Sequence, residues 1–456
     1  MNSLRTKPEI KNELKFQLED IFVKEIPNGL KIFYLQKDKL PLIRLNFVIE
    51  AGSKFDSLSL PGLARLTAAM IDEGAGGLSS LELSDEFDLL GTDFKISAEN
   101  DFIVLSLQSL TENIERSLEL LSLVILKPDF PETEFEREKK KLLVHIIQLK
   151  DDPERIADQI FDKVIYQEHY YSLPVSGYYD TVEKITLNDI KNFYANSFKA
   201  DRSFIAAAGN FTAEEFYSLI GKFFKDFTHS DSNLTLSDKL TPTDKKIFVY
   251  NKPESVQTEI RVGFVSGKRN IKDFFQKQLL NTIFGGQFNS RLNSNLRERN
   301  GFTYGINSQF SYNKDSGYFL ISTSVSTENT FAAIKEISNE LDKLKNGVTT
   351  EELTFAKTSH TRRFPLNFET YRQLTTNLSA LAIQNLPLNY FNTYLNNLNA
   401  VTIDEVNAEA EKLSQADMKI ILVGNKDSFA DEFLKNGYEL VEVDEKGIKK
   451  FKLKIF

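Results

Sequence analysis

Alternation of apolar and polar positions marks several short strands along this chain. Arg44-Leu-Asn-Phe-Val48 alternates with period two, and Arg261-Val-Gly-Phe-Val265 does the same. Phe102-Ile-Val-Leu-Ser-Leu107 and Phe319-Leu-Ile-Ser-Thr323 read as a second pair of strands. Helical spacing runs through Thr111–Leu126, Glu134–Lys150 and Phe331–Lys345. Ile185-Thr-Leu-Asn-Asp189 and Val401-Thr-Ile-Asp-Glu405 each supply a cap that opens a further helix. Each of those helices runs on into a β-rich segment ending in glycine, Ser203 to Gly209 and Lys419 to Gly424.

These elements recur in order. The two strand pairs lie 217 positions apart (261 − 44 and 319 − 102). A Thr-Glu-Asn after the second strand recurs at Thr111 and Thr327, and the caps recur at Ile185 and Val401, both 216 apart (327 − 111 and 401 − 185). Generic patterning does not hold an offset constant over four ordered elements, so the chain reads as a duplication. The expected domains are 1–232 and 233–456. The first ends near Phe227, and the polar stretch Thr228-His-Ser-Asp-Ser-Asn-Leu-Thr-Leu-Ser237 reads as a linker. Strands in pairs followed by runs of helices predict an α+β fold. Two similar duplicated domains are expected, each a mainly antiparallel sheet with helices packed on one face.

Composition then narrows the chemistry. With 456 residues, 41% hydrophobic and 27% charged, the chain can bury sizeable cores without staples. It has no cysteine, which excludes disulfides, Cys-ligated zinc, iron–sulfur clusters and thiol nucleophiles. A net charge of −9 argues against nonspecific nucleic-acid binding. No apolar run approaches the ~18 residues of a membrane span. The N-terminal stretch is polar, so the expected compartment is the cytoplasm, or the periplasm if a signal segment has been removed.

Only four histidines are present: His145, His169, His229 and His360. No two stand at the i, i+4 spacing that lets a helix offer both imidazoles to one ion. All four read as surface or hydrogen-bonded side chains. Gly285-Gly286 follows an apolar helix instead of a strand, Gly267-Lys268-Arg269 lacks a preceding glycine, and no Gly-x-Ser-x-Gly elbow occurs. Phosphate loops and serine hydrolase chemistry therefore find no support.

The most informative segment is Gly285-Gly-Gln-Phe-Asn-Ser-Arg-Leu-Asn-Ser-Asn-Leu-Arg-Glu-Arg-Asn-Gly-Phe-Thr-Tyr-Gly305. It reads as a flexible diglycine, a helix with Leu292 and Leu296 on one face, a stop at Asn300-Gly301 and a strand starting near Tyr304. Arg297 on the last helical turn and Tyr304 seven positions on can reach one edge of the sheet. A guanidinium offers forked donors to a carbonyl, and a phenol can donate to an oxyanion. On chemistry alone the ordinary account is preferred, with Arg297 solvated and paired to a carboxylate and Tyr304 in the core.

Ser290-Arg291-Leu292, Leu296-Arg297 and Gly301-Phe302-Thr303-Tyr304 resemble the C-terminal arginine–tyrosine motif of the insulinase/pitrilysin-like, mitochondrial-processing-peptidase-like zinc metallopeptidases. The resemblance spans nearly the whole chain. Asn28-Gly-Leu-Lys31 resembles the family's opening strand, and Pro61-Gly-Leu-Ala64 the start of its active-site helix. Phe135-Glu-Arg-Glu138 and Asp151-Asp-Pro153 resemble its long helix and the turn after it, and His169 to Gly177 its proline-containing loop. The family carries His-x-x-Glu-His directly after Gly-Leu-Ala, two zinc ligands and a water-activating glutamate. Those three positions here are Arg65, Ala68 and Ala69. The family's distal glutamate ligand falls near Val144, His145 or Ile146. A permanent cation and two alanines cannot ligate zinc.

The resemblance implies two homologous halves or chains closing around a peptide, with zinc in one half and the arginine and tyrosine in the facing one. This chain is expected to be a zinc-free subunit without activity alone, binding no metal or cofactor itself. Its expected partners are a zinc-bearing homologous subunit, forming a heterodimer, and a peptide or unfolded substrate. Arg297 would hold a substrate carbonyl, and Tyr304 would stabilise the oxyanion. The substrate is expected to be extended and added to a sheet edge. The rival expectation is a scaffold protein of the same family with no role in proteolysis. An active zinc peptidase in its own right would require ligands the chain lacks.

Overall fold

The computed structural model describes residues 16–230, 247–269 and 271–449. In the first half the strands are β1 (Ile21–Glu25), β2 (Lys31–Gln36), β3 (Leu42–Ile49), the two-residue pair β4 (Gly74–Ala75) and β5 (Leu78–Ser79), β6 (Asp93–Ala98), β7 (Ile103–Leu110) and β8 (Ser203–Gly209). In the second they are β9 (Ile247–Asn251), β10 (Gln257–Val265), β11 (Ile306–Tyr312), β12 (Gly317–Ser326), β13 (Lys419–Gly424) and β14 (Leu440–Glu442). The sheets run β6-β7-β3-β8-β2-β1 and β11-β12-β10-β13-β9-β14, the same order strand for strand. Most neighbours are antiparallel, with β2–β8 and β9–β13 parallel in their respective sheets. The sheets differ only at the far edge. There β1 turns back on β2 as an antiparallel hairpin, whereas β14 joins β9 in parallel after the chain has passed through the helix Ala430–Lys435.

Pairing fixes the repeat more finely than the sequence does. Ile103 in β7 and Phe319 in β12 are both fully buried, 216 apart (319 − 103), so the strands before the two Thr-Glu-Asn segments share that offset. An offset of 217 would turn every side chain to the opposite face. Leu42 opposes Leu110 and Gln257 opposes Ser326, which sets β3 and β10 at 215 (257 − 42). Arg261 is therefore the counterpart of Asn46, not of Arg44.

The helices predicted over 111–126, 134–150 and 331–345 are present as Ile114–Leu126 after a 3₁₀ turn at Thr111–Asn113, Glu132–Leu149, and Thr330–Lys343. Each half packs most of its own helices on one face of its sheet. The opposite face is covered by a helix from the other half, a layer the sequence reading does not contain. Pro153–Tyr166 buries Ile160, Phe161 and Val164 against Phe248, Leu320 and Ile421 of the second sheet. Tyr371–Ile383 lies on β3 and β8, its Leu374, Leu378 and Leu381 clustered with Leu35, Ala206 and Ala208. The equivalent positions on the two central strands add the polar contacts. Asn46 Nδ2 donates to Ser379 Oγ at 3.2 Å, and Arg261 Nε donates to Asp158 Oδ1 at 2.7 Å.

Thr228 to Ser230 are docked on the first half instead of forming a linker. Thr228 O accepts from Ala200 N–H at 2.8 Å, and Ser230 N–H donates to Asp201 at 2.7 Å. The rest of the expected linker, and the 232/233 boundary, lie outside the described residues. Among the described residues no helix is long and apolar enough to cross a membrane.

Candidate functional site

The segment around Arg297 is built by close approach. Gly285 sits where any Cβ would stand 2.4 Å from Ser308 Oγ and 2.8 Å from Leu292 Cδ1. The diglycine read as flexible is thus a packing necessity that seats the helix against β11. Residues Asn293–Arg299 wind as a π-helix, with Asn300 N–H bonding to Asn295 O. Such local unwinding recurs at functional sites because it re-aims side chains without ending the helix. Asn293 clamps the winding to the start of β11: its Nδ2 donates to Ile306 O at 2.6 Å, and its Oδ1 accepts from Ile306 N–H at 3.3 Å. Arg291 is structural. Its guanidinium forks onto Glu352 at 2.7 Å twice and reaches Gly347 O at 3.0 Å.

Arg297 lies with its Cζ 3.9 Å from the centre of the Phe288 ring, a cation–π distance. Its Nη1 is buried, 3.3 Å from Glu298 Oε1, and makes no hydrogen bond. Tyr304 is 95% exposed, and the core alternative for it is excluded. The turn that projects it is held on both sides. Thr303 Oγ1 donates to Gly305 O at 2.9 Å and accepts from Gly305 N–H at 3.1 Å, while Thr323 Oγ1 also donates to Gly305 O at 2.9 Å. No hydrogen bond, ion pair or ring contact joins Arg297 to Tyr304 among the described residues. The strand starts at Ile306, two residues later than the sequence suggests.

The second region is the helix Leu63–Met70, where the resemblance places a metal. Gly62 takes φ 101° at its start and offers no side-chain cap. Asp56 caps from outside instead, accepting the Gly62 and Ala64 N–H groups at 2.8 Å each. Burial pushes this carboxyl up to about 7, against the pull of those N–H groups. The helix packs on Glu132–Leu149, and between them opens a cavity of about 880 Å³. Arg65, Ala68, Ala69 and His145 line it, and so do Lys95 and Ile96 of the edge strand β6. A guanidinium repels a dication and the alanines carry no donor atom, so Arg65, Ala68 and Ala69 offer nothing that fits zinc. Ile146 is buried apolar core, while Val144 and His145 are exposed.

Three acids in this cavity were not picked out as site residues: Asp72, Glu73 and Glu138. Glu73 is held by Arg137, and Glu138 by Arg137 at 3.4 Å and Lys141 at 3.2 Å. Asp72 is pushed up to about 6, first by burial and then by Glu73 and Glu138. Their only sequence signal is position, directly after the first helix and nearly two turns into the long one. Among the described residues no group of three or more His, Asp or Glu side chains is arranged to hold a metal ion. The other histidines are occupied locally. His169 is buried among Tyr166, Tyr170 and Tyr171, and His360 Nε2 lies 2.7 Å from Thr282 Oγ1.

Two family descriptions match this architecture: "Insulinase (Peptidase family M16)" over residues 33–177 and "Peptidase M16 inactive domain" over residues 184–359. The chain belongs to peptidase family M16, and the inactive-domain match contains both Arg297 and Tyr304. An uncharacterized zinc protease of Rickettsia felis is 25% identical over 341 residues, 75% of this chain and 82% of the relative. A protein of Helicobacter pylori called a non-peptidase homolog, YmxG, is 21% identical over 405 residues, 87% of this chain and 92% of the relative. The crystal structure of a peptidase M16 inactive domain from Pseudomonas fluorescens superposes with a TM-score of 0.83 at 27% identity, covering 89% of this chain and 98% of that one. A protease structure from Helicobacter pylori matches the fold with a TM-score of 0.82 at 19% identity, covering 90% of this chain and 100% of that one.

Proposed function

We propose that this chain is the zinc-free subunit of a heteromeric M16 peptidase, lending Arg297 and Tyr304 to an active site whose metal belongs to a homologous partner. The observation that carries the reading is the phenol of Tyr304, 95% exposed at the end of a turn whose backbone is tied down on both sides. An aromatic side chain held out into water on a rigid turn leaves its apolar ring without cover, which suits a surface completed by a second molecule. The Arg297 guanidinium, whose buried Nη1 makes no hydrogen bond and whose side chain is partly exposed, would turn from Glu298 to hold a substrate carbonyl. Zinc in the partner would activate the attacking water. The roles left to this chain are binding and orientation by Arg297 and hydrogen-bond donation to the oxyanion by Tyr304. Peptide would lie extended, adding a strand to a sheet edge.

The test is reconstitution with a homologue bearing His-x-x-Glu-His. Tyr304→Phe should lower peptide turnover while leaving assembly intact by size-exclusion chromatography, and the chain alone should cleave nothing. Unchanged turnover would sink the assignment. The scaffold reading is favoured by one observation, the Helicobacter pylori relative called a non-peptidase homolog. It predicts that no zinc-bearing partner is activated by this chain.

A further inference from the structure

A second cavity, of about 250 Å³, lies away from the Arg297 turn. Its walls come from the end of the helix Glu132–Leu149, the helix Pro153–Tyr166, the loop 174–180 and the turn at Glu445-Lys446 from the second half. Much of the lining is apolar, including Leu149, Ile156, Pro174 and Val175.

Its charges do not all cancel internally. Lys150 Nζ pairs with Glu445 Oε1 at 2.8 Å. Lys446 Nζ pairs with Asp180 Oδ1 at 2.7 Å and lies 4.8 Å from the Tyr178 ring centre. Two lining residues are left over, Asp162 and Arg155. Among the described residues neither side chain makes a hydrogen bond or ion pair. Asp162 is partly buried and Arg155 is exposed, and a carboxylate without a protein partner beside an apolar wall invites a cation. Burial and the neighbouring Asp158 push Asp162 up to about 8, so a cation seated beside it would displace its proton and leave the carboxylate as its counter-charge.

Arg155 and Asp162 stand seven residues apart on one helix, two turns, so their backbones are about 10 Å apart along the axis. A simple α-amino acid, with its ammonium and carboxylate on one carbon, is too short to bridge them. A molecule with a cationic head and a carboxylate separated by an alkyl stem is long enough, and the apolar wall suits such a stem. We propose that this cavity binds a basic carboxylate, arginine or lysine, free or as the C-terminal residue of a peptide, with its cationic head on Asp162 and its carboxylate on Arg155. The site does not depend on the role of Arg297 and Tyr304.

The experiment is calorimetric titration of the full chain at millimolar concentrations of L-arginine, of a tripeptide ending in arginine, and of that tripeptide amidated at its C-terminus. Wild type should bind at least one of the first two, and the one that binds identifies the source. Asp162→Asn, nearly identical in shape, should weaken that binding about tenfold or more. Thermal unfolding confirms that the variant is folded. Arg155→Gln should weaken the free-carboxylate ligand but leave the amide unaffected. No binding of either carboxylate ligand, an Asp162→Asn variant that binds as wild type does, or equal wild-type affinity for the amidated tripeptide would each overturn the proposal.

Discussion

At the scale of single residues, the unusual side chains are those whose charge or ring is left without a protein partner. Tyr304 illustrates what sequence can and cannot say. Its spacing from Arg297 was legible, but whether it lay in the core or in water was not, because period-two alternation assigns a face only once the strand is known to have begun. Removing one oxyanion donor costs about 2.7–4 kcal/mol in comparable sites, so Tyr304→Phe should cut the kcat of the reconstituted pair roughly 100- to 1,000-fold. Asp162 makes a different prediction. Its folded-state pKa is raised to about 8 from the ordinary aspartate value of 3.8, so the native state holds a proton that the unfolded chain releases. Stability is therefore fullest below the unfolded value and is lost as pH rises towards 8. Asp158 and the phenols of Tyr166, Tyr178 and Tyr318 face it, and of the cations lining its cavity Lys150 and Lys446 are paired with Glu445 and Asp180 and Arg155 stands two turns away, so none pairs with it to offset this. Asp162→Asn should unfold at a higher temperature than wild type at pH 8.5, with the gap closing towards pH 5. A gap independent of pH would refute the account.

At the scale of elements, the duplication was readable because caps and Thr-Glu-Asn turns are local chemistry. The strand offsets were each off, by one residue in one pair and two in the other. Alternating patterns match themselves after small slips, and only hydrogen-bond pairing settles the register. The diglycine was misread for a related reason. Glycine in a sequence signals freedom and close approach alike, and here close approach decides. Gly285→Ala would force a methyl into Ser308 and Leu292, at a cost of about 1–3 kcal/mol, to be read as a lower urea midpoint with an unchanged slope. The π-winding of Asn293–Arg299 left no trace in the pattern, since it needs only one extra residue per turn over a short run.

At the scale of the whole molecule, the two halves are joined by buried charge as well as by apolar surface. Lys54, 3% exposed, reaches Glu50 at 2.9 Å and Asp101 at 3.1 Å in the first half and Asp315 at 2.9 Å in the second. Tyr171 Oη donates to Asp101 at 2.6 Å, and Lys314 N–H donates to the same carboxylate at 2.8 Å. Lys54→Met would leave Asp101 and Asp315 without their central cation. It should cost about 3–5 kcal/mol in denaturant unfolding, with both halves melting together. None of this was visible in sequence, because long-range ion pairs leave no periodic signature.

The exchange of covering helices carries its own consequence for anyone dividing the gene. A fragment holding only the first sheet would be made without the strip of Leu374, Leu378 and Leu381 that shields Leu35, Ala206 and Ala208, and the other fragment would lack Ile160 and Phe161. Expressed separately, both pieces should precipitate or bind a hydrophobic dye, whereas coexpressed pieces should find one another and stay in solution.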